Sequence, residues 1–286
     1  GSGMQFQLRG DYESPILRIM TEKNLPRRRF LAGSAAAAAG AAVAGNAATA
    51  NAQLSSSLSS ARLPEMKPAK YSAFMHGVAS GDPLEDSVII WTRVTVSEDA
   101  VPGSGKGDKA QVKWEVATDR NFQNIASQGT VTATAESDHT VKVDAKGLKP
   151  AKDYFYRFIW DGKTSPVGKT HTAPAATAHL EEYKLAVASC ANWECGYFGS
   201  YRGMAQQAEA GNIDVVVFLG DYIYEYATGE YAGKSGVSRP HVPTNEIVTL
   251  KDYRERYGRY RTDKNLQAAH AAAPWVVVWD DHESAN

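Results

Sequence analysis

Three short, near-continuous apolar runs, Lys184 to Ser189, Asp214 to Leu219 and Trp275 to Trp279, constrain the fold more than any other feature of the chain. Runs of this kind read as strands covered on both faces, and Tyr201 to Glu209, rich in helix formers, lies between the first two. The strand-helix-strand unit that results implies a largely parallel sheet. Leu250 to Tyr260 and Lys264 to Ala272 read as two further helices, the second stopped by Pro274 ahead of the third apolar run. A polar cluster follows each run directly: Cys190-Ala191-Asn192, then Gly220-Asp221-Tyr222-Ile223-Tyr224-Glu225, then Asp280-Asp281-His282-Glu283. In open α/β sheets this carboxyl edge is where ligands bind.

The region before it has a different rhythm. Between residues 72 and 172 short apolar or alternating runs alternate with turn residues, at Val88 to Val94, Val112 to Ala117, Gly129 to Thr134, Thr140 to Val143 and Tyr154 to Trp160. This spacing predicts an all-β sandwich. Leu148 to Tyr154 resembles the turn-plus-tyrosine that closes immunoglobulin- and fibronectin-like sandwiches, with Trp91 and Trp114 expected to fill the core. Residues 173–183, with Pro174 and several alanines, show neither period and read as a linker. A chain of 286 residues is long enough for two domains, placed here at 72–172 and 184–286.

Residues 1–52 are set apart from the fold. Gly1-Ser2-Gly3 reads as an added tag, and the arginines before Phe30-Leu31-Ala32 precede a long Ala/Gly-rich uncharged run ending at Ala50-Asn51-Ala52. The pattern looks like a twin-arginine export signal cleaved after Ala52, too weakly apolar for a membrane anchor. It makes the twin-arginine translocation machinery a partner and the periplasm or extracellular space the destination. Residues 53–71, rich in serine, read as a flexible leader. A net charge of -1 offers nucleic acid or anionic lipid no general attraction, and two cysteines, Cys190 and Cys195, exclude a disulfide framework.

A thiol, phenols, carboxylates and an imidazole at one sheet edge form a donor set for multivalent cations: thiolate and phenolate suit ferric iron, carboxylates suit calcium or magnesium. Each residue also has a plainer reading. Asp221 fits a turn as well as a metal, though the preceding Gly220 and the strand end favour ligation. Cys190 taken alone is a small buried hydrophobe. Tyr222, Tyr224 and Tyr226 would point to one side of an extended segment, where an aromatic stripe is ordinarily packing. Asp280, Asp281 and Glu283 could cap a helix, yet three acids around His282 repel one another unless a cation joins them. Cys195 has no assigned role, and His270, among alanines on a helix, reads as structural.

Ala188-Ser189-Cys190, the run from Leu219 to Tyr226, Ala268-Ala269-His270-Ala271 and Trp279-Asp280-Asp281-His282-Glu283 resemble the signature segments of PhoD-type alkaline phosphatases, as does His76 to Pro83 upstream. The resemblance implies a calcineurin-like metallophosphoesterase fold, an α/β/β/α sandwich of which residues 184–286 would be the first half. It further implies hydrolysis of phosphomonoesters and phosphodiesters with iron (Fe3+) and calcium (Ca2+). On that basis Cys190 and Tyr224 bind ferric iron, Asp221 bridges iron and calcium, Asp281 takes the metal-binding place of a Gly-Asn-His-Glu motif, and His282 is its catalytic histidine. Asn192 and Arg239 are candidates for contact with the substrate phosphate, and His241 could assist; a turn and a solvated loop are their plainer readings.

The resemblance places further ligands and the second half of the sandwich beyond the point corresponding to Asn286, so these residues alone are expected to be weakly active or inactive, with an apolar sheet face left open. The expected function is that of a secreted phosphomonoesterase or phosphodiesterase; a phospholipase D-like phosphodiesterase, or an inactive fragment whose sandwich is a binding module, are the alternatives.

Overall fold

The computed structural model describes residues 72–284. The tag, export signal and leader expected over residues 1–71 lie outside the described residues.

Two sheets carry the fold. The first contains β1 (Val78–Gly81), β2 (Ser87–Arg93), β5 (Thr140–Lys146), β9 (Leu185–Ala188), β10 (Val215–Phe218) and β11 (Trp275–Val277), in the order β5-β2-β1-β11-β10-β9. The second contains β3 (Ala110–Ala117), β4 (Ile125–Ala133), β6 (Asp153–Trp160), β7 (Lys163–Thr164) and β8 (Gly168–His171), with β3 between β4 and β6 and both β7 and β8 on β6. Three helices follow the sandwich strands in sequence: α1 (Gly199–Glu209), α2 (Leu250–Tyr260) and α3 (Lys264–Ala272).

Strands β1, β2 and β5 face the second sheet across one core. Val88 and Ile90 alternate inward from β2, Val112 and Val116 from β3, Tyr156 and Phe158 from β6. A large apolar side chain buried this fully contributes roughly 1.5–3 kcal/mol. The tyrosine contact foreseen at the turn is present: Lys149 N–H donates to Tyr154 Oη at 2.8 Å. Trp114 lies on the core face, its ring against Gly129 of the paired strand, where a Cβ would come within 2.8 Å of it. Trp91 does not. Its position on β2 is out of phase with Val88 and Ile90, so it faces away from the sandwich core and lies under the Arg261 guanidinium, 4.7 Å from the ring centroid.

The other half of the first sheet is parallel. β9, β10 and β11 pair in register, and Val216, Phe218 and Trp275 turn toward α1 and α3, where alanines at 205, 208, 269 and 272 permit close packing. The helix ends follow their capping residues. Thr249 Oγ1 accepts from Asp252 N–H and Asp252 from Thr249 N–H, while Asp263 accepts from the N–H groups of Asn265 and Leu266. On the uncovered side of this parallel half Val187 and Val278 are exposed, and β9 forms a sheet edge.

The first sheet runs from one predicted domain into the other, and residues 72–284 fall within a single compact unit. The antiparallel and parallel halves join at one rung, Gly81 opposite Trp275, extended by Asp82 N–H donating to Trp275 O at 3.1 Å. A Cβ on Gly81 would sit 2.6 Å from that carbonyl oxygen. Replacing Gly81 by valine should therefore part the rung and lower stability by about 1–3 kcal/mol in denaturant unfolding, the usual cost of overpacking. An unchanged midpoint would show that the rung carries no load.

Candidate metal centre

β10 and β11 end side by side, and the residues after them touch through glycine. Gly220 has φ 94°, and a Cβ there would lie 2.5 Å from Asp280 Cβ and 2.7 Å from its nitrogen, so no other residue fits. Asp221 next to it is also left-handed, with φ 56°, as is Cys190 after β9, with φ 59°. Such conformations cost non-glycine residues on the order of 1–3 kcal/mol each and persist where the surroundings impose them.

Glu283 imposes this one. Its carboxylate accepts from Asp221 N–H at 3.1 Å, from Asp280 N–H at 2.7 Å and from Tyr222 N–H. The segment after β10 therefore does not continue as a strand, and its tyrosines part company. Tyr222 turns into the core, stacked on Tyr257 and bonded to His270 Nε2 at 2.9 Å, whereas Tyr224 and Tyr226 lie beside His282. The expectation of three rings on one side is corrected accordingly, because the chain bends at Tyr222 and Ile223 instead of running extended.

Asp221 is the centre of the cluster. Its Oδ2 lies 3.4 Å from Cys190 Sγ and 3.2 Å from Tyr224 Oη, and its buried Oδ1 has no hydrogen-bond partner among the described residues. One donor atom from each of Asp221, Asp281 and His282 falls within 4.8 Å of the others. An orphaned carboxylate oxygen costs free energy when buried, and a cation removes that cost. Burial, then the neighbouring Asp221 and Cys190, holds the Tyr224 phenol far above its usual pKa, so phenolate needs a positive charge beside it. Thiol, phenol, carboxylates and imidazole thus fit a multivalent metal, with Cys190, Asp221, Tyr224 and Asp281 as the residues that would hold it.

Two residues given no role by the sequence reading set this geometry. Glu225, almost fully buried, accepts from His282 Nδ1 at 2.8 Å, leaving Nε2 as the ring nitrogen available to chemistry. Arg256, on α2 and wholly buried, donates to the backbone carbonyls of Tyr224, Tyr226 (3.2 Å), Val242 (3.3 Å), Pro243 (3.0 Å) and Asn245 (3.1 Å). All its bonding capacity goes to the backbone on either side of Glu225 and to the loop that returns beneath it. Sequence offered only an acid inside a tyrosine run and an arginine on an amphipathic helix.

The residues expected to contact phosphate are also bonded within the protein. Asn192 Nδ2 donates to Tyr231 O at 3.0 Å and its Oδ1 accepts from Glu194 N–H at 2.9 Å, which makes it a loop tether. Arg239 pairs with Asp263 at 2.6 Å, donates to Trp193 O and lies 3.5 Å over the Trp193 ring centroid, while its buried Nη2 has no hydrogen-bond partner among the described residues. His241 is fully buried, stacked on Tyr260, and burial pushes its pKa down to about 3. His270, stacked on Trp275 at 3.9 Å, is structural as foreseen, and Cys195 is exposed and free.

A family model for the PhoD-like phosphatase matches residues 185–286, and one for the PhoD-like phosphatase N-terminal domain matches residues 58–174. The chain belongs to the PhoD-like phosphatase family. It is 50% identical over 214 residues to alkaline phosphatase D of Bacillus subtilis (strain 168), a match that covers 74% of this chain and 36% of that protein. A solved structure of PhoD superposes with TM-score 0.69 at 49% identity, covering 75% of this chain and 40% of that one. The chain thus spans a little over a third of the length of the curated relative it matches. Among the described residues no helix is long and apolar enough to cross a membrane.

The Glu225 pairing has a measurable sign. Burial alone would lower the pKa of His282, but the hydrogen bond and charge of Glu225, with Asp221 and Asp281 nearby, raise it above the usual 6.5. In metal-free protein the pair's stabilisation should be complete below pH 6.5 and fade as pH rises through the elevated folded value. Glu225→Gln should bring the His282 titration, followed by NMR, to lower pH and flatten that dependence; an unmoved titration would refute the pairing.

Proposed function

We propose that these residues form part of the catalytic centre of an exported, metal-dependent hydrolase of phosphomonoesters and phosphodiesters. The observation that carries the reading is the Asp221 carboxylate at the carboxyl edge of the sheet, its Oδ1 orphaned while its Oδ2 lies against a thiol and a phenol, with Asp281 and His282 donor atoms within reach. Ferric iron and calcium fit that donor set: Cys190 and Tyr224 would supply the soft and phenolic ligands, and Asp221 and Asp281 the carboxylates. When bound, such metals neutralise phosphoryl oxygens and acidify water.

The chain's own residues do the rest. Glu225 orients the His282 imidazole and stabilises its charged form, so that Nε2 holds a proton for the leaving oxygen of the ester. Arg256 and Glu283 fix the backbone on which Asp221 and Tyr224 stand, so the donors need little rearrangement. The twin-arginine pattern supports export to the periplasm or beyond, where phosphoesters would be the substrates. Membership of the PhoD-like family supports phosphoester hydrolysis over the binding-module alternative.

Elemental analysis with a visible absorption scan tests the centre. Protein purified with iron and calcium should hold both and show a phenolate-to-iron band that Tyr224→Phe abolishes. Asp221→Ala should lower metal affinity by about 10–100-fold or more, the range seen even for residues that merely support a ligand. Folded protein that takes up no metal would sink the proposal.

A further inference from the structure

Beside His282 lies a feature that metal binding does not use. Tyr231, half-exposed at 50%, stacks on Tyr224 (5.5 Å, 20°) and Tyr226 (5.0 Å, 26°), and His282 lies 5.8 Å from its ring centroid. A half-exposed aromatic on a loop would ordinarily be free to move, yet this loop is held by buried groups. The Glu194 carboxylate, with no exposed surface, accepts from Gly229 N–H at 3.0 Å, the Glu194 carbonyl accepts from Ser238 N–H at 2.8 Å, and Asn192 grips the Tyr231 carbonyl itself. Burying a carboxylate to hold one loop is expensive, and what it holds in place is an aromatic edge beside the proton donor.

The chemistry of this rim narrows its ligand. The charged groups acting on Tyr226 are Glu225, Asp281 and Glu246, all acidic, which disfavours a second phosphate at that point. Tyr231 lies nearly parallel to both Tyr224 and Tyr226, and its half-exposed ring can take one more flat ring in the same stack, whereas a quaternary ammonium is enclosed by rings set at large angles to one another.

We propose that Tyr226 and Tyr231 form the subsite for the alcohol half of the phosphoester, and that this subsite takes a flat aromatic group, a nucleoside above all. The assignment rests on the hydrolase reading, since His282 serves the leaving oxygen and so marks the side from which the alcohol departs.

The test is a matched pair, adenosine 5′-monophosphate and ribose 5-phosphate, monoesters of the same primary alcohol that differ in the base. Calorimetry on the whole chain supplied with iron and calcium should show the nucleotide bound about tenfold more tightly, the usual scale of one base-aromatic stack. Tyr231→Ala, a change at an exposed side chain, should erase most of that ratio, and Tyr231→Phe should keep it. Equal affinity for the two, no binding of either, or phosphocholine bound more tightly than the nucleotide overturns the subsite. Metal uptake separates the two readings: a nucleotide preference that persists in folded protein holding no metal would leave an aromatic site standing and remove the hydrolase centre, whereas metal uptake with no nucleotide preference would leave the centre and remove the subsite.

Discussion

One carboxylate organises the centre. Glu283 takes backbone N–H groups from the ends of two neighbouring strands, and without it those donors would lie unpaired in a partly buried loop, at about 1–3 kcal/mol for each one left unsatisfied. The grip holds Asp221 in a left-handed conformation, and the bends at Tyr222 and Ile223 that follow divide the Gly-Asp-Tyr-Ile-Tyr-Glu-Tyr run between two tasks. Tyr222 and Ile223 go to the helix-packed core, while Tyr224, Glu225 and Tyr226 face the donor cluster. A short segment so serves both packing and chemistry because those bends separate them.

Around those bends the polar groups are arranged from the inside out. Arg256 spends a buried positive charge on five carbonyls, which holds the backbone flanking Glu225, and Glu225 in turn holds His282. Such a sequence of contacts gives rigidity at positions where loops are otherwise the most mobile part of a fold. It also leaves Asp221 with one carboxylate oxygen that nothing else in the described residues satisfies.

Much of this was legible from the residues. The helix bounds at 250–260 and 264–272, with Pro274 beyond the second, are reproduced by the structure, because capping and proline geometry act within a few residues. The three strand ends and their polar clusters were legible for the same reason. The sharing of one sheet between the predicted domains was not, since β1 is four residues long and its partner lies at the far end of the sequence. Nor were the parts played by Asn192, Arg239 and Arg256: their bonds go to loops and helices distant in sequence, and periodicity carries no record of such partners. Trp91, expected in the sandwich core, takes the other face because the alternation of β2 points it outward.

The single rung between Gly81 and Trp275 also bears on how the sheet is assembled. β11 lies between β1 and β10, so the middle of the sheet is filled by the strand that is synthesised last among those described. The sandwich strands can pair as local hairpins while the chain is still growing, but two unpaired borders face each other until residue 275 arrives and closes a very long loop. Chain growth therefore leaves a gap at the centre of the fold, and the step that fills it also brings Asp281 and His282 to Asp221.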